Sequence, residues 1–205
     1  MVKLTNTLAQ IVSILLHPLL MPIFGLLIIY TSGTYISLLQ YEAKRIILIV
    51  VAINTIALPL LIIPLFYRLG FIKNLQMHIH KERILPIAFT LIPYIFSFYF
   101  LKRLPIPGII STFMLGAAIT VGVSLLITFW WKISLHMIGI GGMVGFIFAF
   151  SLRLHTDVLS IILIAATASG FLAWSRLQLS AHKPSQVYCG FLTGGLIMFL
   201  TLLLL

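Results

Sequence analysis

Seven runs of apolar residues, at about 11–30, 46–66, 85–101, 108–129, 135–152, 157–174 and 186–205, occupy most of this chain. A helix needs about 20 mostly apolar residues to cross a bilayer, and each run comes near that length, the third and fifth being short. The pattern predicts an all-α, polytopic transmembrane helix bundle of about six to seven spans, built as a single integral membrane domain over residues 1–205. Composition points the same way. Hydrophobic residues make up 61% of the chain and charged residues 8%, with a mean hydropathy of +1.21, whereas an ordinary soluble domain is about 25% charged. The first run contains His17-Pro18 and Pro22 and has no small-residue cleavage site behind it, so it reads as a retained span and not as a signal peptide. Gly139-Ile-Gly141-Gly142-Met-Val-Gly145 lies inside an apolar run with no strand before it, which argues against a nucleotide loop. Gly141-xxx-Gly145 and Gly190-xxx-Gly194 instead suit close approach of membrane helices, and predict tight packing of the fifth and seventh spans.

The few charges constrain chemistry. Only three acids occur, Glu42, Glu82 and Asp157, and a single cysteine, Cys189. That composition leaves no acidic cluster for Mg²⁺ or Ca²⁺, no neighbouring pair of carboxylates for glycoside chemistry, no internal disulfide and no cysteine-based zinc site. No metal and no cofactor is expected. A formal charge of +10 with so few acids calls for an anionic partner. Nucleic acid fits poorly, because no soluble face carries a basic stripe; membrane lipid headgroups and a phosphorylated lipid fit better. Basic residues do not fix the orientation. Eight (Lys3, Arg68, Lys73, Lys81, Arg83, Lys132, Arg176, Lys183) fall on the N-terminal side and five (Lys44, Arg45, Lys102, Arg103, Arg153) on the other, and a phosphate site would hold several of the eight for chemistry alone.

Three polar constellations interrupt the apolar background: Lys81-Glu82-Arg83-Ile-Leu-Pro86, Lys132-Ile-Ser134-Leu-His136 and Ser175-Arg176-Leu-Gln-Leu-Ser-Ala-His182-Lys-Pro-Ser-Gln186. Two spans separate the first from the second and two more separate the second from the third. An even number of crossings returns the chain to the same face, so all three can meet in one pocket. Together they offer guanidinium groups (Arg83, Arg176), ammonium groups (Lys81, Lys132), hydroxyls (Ser134, Ser175) and imidazoles (His136, His182). Arg grips phosphate oxygens bidentately and Lys binds them as a point charge, while imidazole attacks phosphorus or moves a proton near neutral pH. Pro184 suits the first turn of the last helix. It sets His182 just outside a helix N-terminus, where backbone amides and the macrodipole favour an anion. His17, His78, His80 and His155 read as interfacial residues, and Trp130, Trp131 and Trp174 as interfacial aromatics.

The order and spacing of these residues resemble the type 2 phosphatidic acid phosphatase (PAP2) superfamily, with its Lys-x6-Arg-Pro, Pro-Ser-Gly-His and Ser-Arg-x5-His-x3-Asp elements. The third element matches Ser175-Arg176-x5-His182-x3-Gln186 apart from its last residue. The second matches only Ser134 and His136, since Leu135 stands in place of Gly. The first matches least: two residues separate Arg83 from Pro86, and Gln76 stands where the lysine would be. The resemblance covers roughly residues 68–205 and implies metal-independent hydrolysis of a lipid phosphate monoester or diphosphate, such as phosphatidic acid, phosphatidylglycerophosphate or undecaprenyl diphosphate. It implies further that His182 is the nucleophile of a phosphohistidine and His136 the general acid. Arg83, Arg176 and Ser134 would hold phosphate, Ser175 would join them, and Lys81 or Lys132 would replace the missing lysine. Gln186 would orient His182, as a neutral acceptor where the family has a charged one. That exchange costs about 1 to 2 kcal/mol of charge assistance. The expected location is a bacterial inner (cytoplasmic) membrane. A non-catalytic member of the same class, binding phosphorylated lipid or serving as a subunit or lipid translocator, is the alternative.

Overall fold

In the computed structural model, which describes residues 2–74, 77 and 79–205, the chain is all helix and turn, with no strand among the described residues. Seven helical stretches are long and apolar enough to cross a membrane, as expected of an integral membrane protein. Gln76 and His78 lie outside the described residues.

Two of the spans are interrupted, each next to a proline. The first comprises α1 (Val2–Leu15), a 3-10 turn (Pro18–Leu20) and α2 (Met21–Thr31). Proline has no amide hydrogen and pushes the residue before it out of the helical region, and His17 is extended, with φ −67° and ψ 137°. The second comprises α3 (Tyr41–Ala52), a π turn (Ile53–Ala57) and α4 (Leu58–Arg68). Pro59 follows the π turn, whose wider ring relieves the clash a proline makes with the carbonyl four residues earlier. The turn also carries buried Asn54, whose Nδ2 donates to Val50 O at 2.8 Å.

The other five spans are single helices: α5 (His80–Lys102), α6 (Gly108–Thr128), α7 (Leu135–Leu154), α8 (Leu159–Gln178) and α9 (Pro184–Leu204). Several of their hydroxyls donate within their own helix, as Thr120 does to Gly116 O at 2.7 Å and Thr201 to Ile197 O at 2.7 Å. This satisfies polar groups where lipid offers no partner. The outer surface stays apolar: Leu163, Ile164, Leu192 and Leu196 are all exposed, a disposition that costs nothing when lipid tails surround the bundle.

The core lies along α7, where Phe146 and Phe150 are fully buried and Phe113 of α6 packs on Phe146 with 4.6 Å between ring centroids. α7 and α9 pack backbone to backbone. A Cβ on Gly141 would overlap the carbonyl oxygen of Phe191, one on Gly145 that of Gly195, and one on Gly194 that of Ile138. The two small-residue motifs thus form one seam between the fifth and seventh spans, and α7 and α9 both begin at the end of the bundle where the polar constellations collect. At the opposite end Arg153 closes the pair, donating through Nη1 to Leu202 O at 2.6 Å and through Nη2 to Leu205 O at 3.2 Å.

Candidate functional site

His182 sits in the short turn between α8 and α9, with Ser180 in the left-handed region at φ 50°. It is only 8% exposed. Its Nδ1 lies 3.0 Å from Gln186 Oε1, and the Lys183 amide donates to the same oxygen at 3.1 Å. An amide nitrogen can only donate, so the atom it meets is the carboxamide oxygen, and that oxygen must accept from Nδ1–H. The neutral ring therefore keeps its lone pair on Nε2. Burial draws the imidazole down to about 4, Arg83 adds to the effect, and Arg176 and Lys132 add less, against the opposing pull of Gln186. His182 is thus an uncharged imidazole at neutral pH. Gln186 fills both roles its position allows, as the N3 residue that caps the start of α9 and as the acceptor that fixes the tautomer of His182. The start of α9 supplies field more than free donors. Pro184 has no amide hydrogen, and the amides of Gln186 and Val187 turn back onto Lys183 O at 3.0 and 3.2 Å.

Around this imidazole stand the cations. Arg176, in the last turn of α8, donates through Nη1 to Ser13 Oγ at 2.6 Å, and its Nε is buried with no hydrogen-bond partner among the described residues. Arg83, in the first turns of α5, donates through Nε to Met77 O at 3.0 Å. Lys132 precedes α7. Burial lowers its ammonium from the ordinary value, and repulsion from Arg83 and then Arg176 lowers it further. Arg83 and Arg176 line the cavity, Lys132 stands near enough to be repelled by both, and no carboxylate of a described residue lines it, so an anion there would be stabilising. The Ser134 hydroxyl, fully buried at the start of α7, likewise has no partner among the described residues, while the Ser134 amide donates to Gln186 O at 3.3 Å and ties the start of α7 to that of α9.

His136, in the first turn of α7, has Nε2 3.2 Å from Ser13 Oγ. Ser13 thus links Arg176 and His136 from α1. His17 adds a ring edge-on to His136, 5.0 Å between centroids with the planes at 82°. A cavity of about 270 Å³ opens beside these groups. Its polar end is lined by His17, Arg83, His136, Arg176 and His182, and its wall continues through apolar residues such as Phe113, Ala117, Met143 and Met198.

Five of the residues read from the sequence, Lys81, Lys132, Ser134, Ser175 and Gln186, do not line the cavity. Lys81 is exposed in the first turn of α5 and does not line it. The Ser175 hydroxyl is buried and donates to Ala9 O at 2.6 Å, so its proton holds α8 against α1. His17 differs from its reading as an interfacial residue: it lines the cavity. His155 is in the left-handed cap of α7 at the other end, and His80 is the first residue of α5. Ser13 was not apparent from the sequence at all. The available signal was His17 itself, since an ionisable residue inside an apolar span is costly enough to suggest function. Among the described residues no three His, Cys, Asp or Glu side chains are grouped to hold a metal ion. Compared with protein-family models, curated proteins and solved structures, the chain finds no match.

Proposed function

We propose that this chain is a PAP2-type lipid phosphatase of a bacterial inner membrane, which hydrolyses a lipid phosphate monoester or diphosphate through a phosphohistidine. The observation that carries the reading is the His182–Gln186 pair: a buried, uncharged imidazole with its proton committed to Oε1 and its lone pair free, beside two guanidinium groups. Arg83 and Arg176, which line the cavity, hold the phosphate oxygens, and the buried hydroxyl of Ser134 at the start of α7 is a further donor in this reading. Nε2 of His182 attacks phosphorus, and the P–N bond forms as the bond to the leaving oxygen breaks. His136 gives that oxygen a proton. Water then cleaves the P–N bond, releasing inorganic phosphate and restoring the imidazole. The apolar wall beyond takes the lipid tail.

The test uses purified protein, a lipid phosphate labelled on phosphorus, and a nitrophenyl phosphate as a second substrate. Denaturation during turnover is expected to trap an acid-labile phosphohistidine that is lost in His182→Ala. His136→Ala should lose about 10² to 10⁴ in rate on the lipid alcohol, and much less on nitrophenolate, which leaves without a proton. Equal losses on both leaving groups would remove His136 from the acid role, and absence of the phosphohistidine would remove the covalent route. A second reading, favoured by a carboxamide at Gln186 in place of a carboxylate, is a protein that binds or translocates phosphorylated lipid without cleaving it. Binding with no phosphate release would support it.

A further inference from the structure

The reaction above employs His136 and His182 and leaves His17 idle, although His17 lines the same cavity. The break at Pro18 sets its ring against the cavity, and Nδ1 accepts the Leu19 amide at 3.3 Å. Because that amide can only donate, the neutral ring carries its proton on Nε2 and has no second nitrogen free to accept. His17 is therefore a donor. Its position along the cavity matters too. Pro18, Met21 and Pro22, which follow it in the chain, also line the cavity, so His17 stands beside apolar lining residues as well as the guanidinium groups.

His136 stands beside it with Nε2 engaged by Ser13, which leaves Nδ1 for a ligand. In the cavity that Arg83 and Arg176 also line, then, two ring nitrogens, Nε2 of His17 and Nδ1 of His136, are left for a ligand. A phosphate monoester places a single bridging oxygen there, and one donor satisfies it. A lipid diphosphate places an entire inner phosphate there, with anionic oxygens for a second donor. The charge balance agrees, since Arg83, Arg176 and Lys132 act on one another with no carboxylate lining the cavity and a diphosphate carries more negative charge than a monophosphate.

We propose that His17 binds the inner phosphate of a lipid diphosphate and so selects that substrate over a monophosphate on the same chain. The chemistry rests on the phosphatase reading, while the binding geometry stands apart from it. In the reaction, His182 Nε2 bonds to the outer phosphorus and the bond from that phosphorus to the bridging oxygen breaks. The electron pair leaves with the lipid monophosphate, which His17 and His136 stabilise, and water releases the outer phosphate from His182.

Binding separates this inference from turnover. The probes are a prenyl methylenebisphosphonate and a prenyl phosphonate of equal chain length, neither of which can be hydrolysed, titrated into purified protein in detergent. Wild type should bind the bisphosphonate about tenfold more tightly or better, the value of one hydrogen bond to a charged group. His17→Ala should lose that preference and keep its affinity for the phosphonate within about threefold. His17→Asn, able to accept the Leu19 amide and still donate, should restore part of it. Equal wild-type affinity for the two probes overturns the proposal without any variant, as does an equal loss on both in a folded His17→Ala. Selective binding without phosphate release would sink the phosphatase reading and leave this one standing; turnover through His182 without selectivity would do the reverse.

Discussion

One oxygen atom, Gln186 Oε1, accepts from two donors of different kinds, and a prediction follows from its neutrality. Gln186→Glu keeps the side-chain length and both acceptors but places a negative charge beside the ring. In the proposed reaction His182 attacks only as the neutral imidazole, so hydrolysis of a nitrophenyl phosphate, whose leaving group needs no proton from His136, should hold from neutral pH down to about 4 in wild type and fall below it. A carboxylate stabilises the imidazolium, so in Gln186→Glu the acid limb of kcat/KM should move up by about one unit, with the rate at neutral pH equal to or above that of wild type. A limb that stays in place would mean that His182 is not the titrating group. At this scale the sequence was legible where partners are close in the chain, as with His182 and Gln186. It was silent about Ser13, whose partners Arg176 and His136 lie 163 and 123 residues away. No local spacing encodes such contacts; they exist only once α1 packs beside α7 and α8.

Among the elements, the apolar runs mark the spans but misjudge their ends. α5 begins at His80 and not near residue 85, because Lys81, Glu82 and Arg83 are acceptable in a first helical turn and invisible to a search for apolar residues. The first span reaches back to Lys3 for a similar reason: α1 alternates polar and apolar faces. The π turn at Ile53–Ala57 had no signal beyond the proline after it. The glycine motifs, by contrast, named the helices they join, since only glycine admits a carbonyl oxygen so close to the backbone. Gly145→Val would drive side-chain atoms into Gly195 O and should destabilise the protein by about 1 to 3 kcal/mol or more. Gly170, on α8, faces open space, and Gly170→Ala should be neutral or gain up to about 1 kcal/mol from helix propensity. Thermal unfolding in detergent checks the pair, and similar melting temperatures for the two would contradict this account of the seam.

For the whole molecule, span parity brings residues 129–134 and 179–183 to one end of the bundle with the turn before α5, and the structure joins them through the Ser134 amide and Gln186 O. Cys189 is exposed on α9, within a span. With it replaced by serine, single cysteines at 73, 131 and 183 should react with an impermeant thiol reagent from a common side of the membrane, and one at 205 from the other; a split among the first three would break the shared site. The seam between α7 and α9 reaches further than packing. His136 opens one helix of the pair and the turn holding His182 opens the other, so the spacing of the two imidazoles is an alignment of two rods notched at fixed points. Shifting one rod by a helical turn, about 5.4 Å, would bring the notches opposite side chains, and the rods would no longer close. The gap across which a proton and a phosphoryl group would travel is therefore measured out deep among the lipid tails. A substitution there can retune the chemistry while touching nothing that reacts.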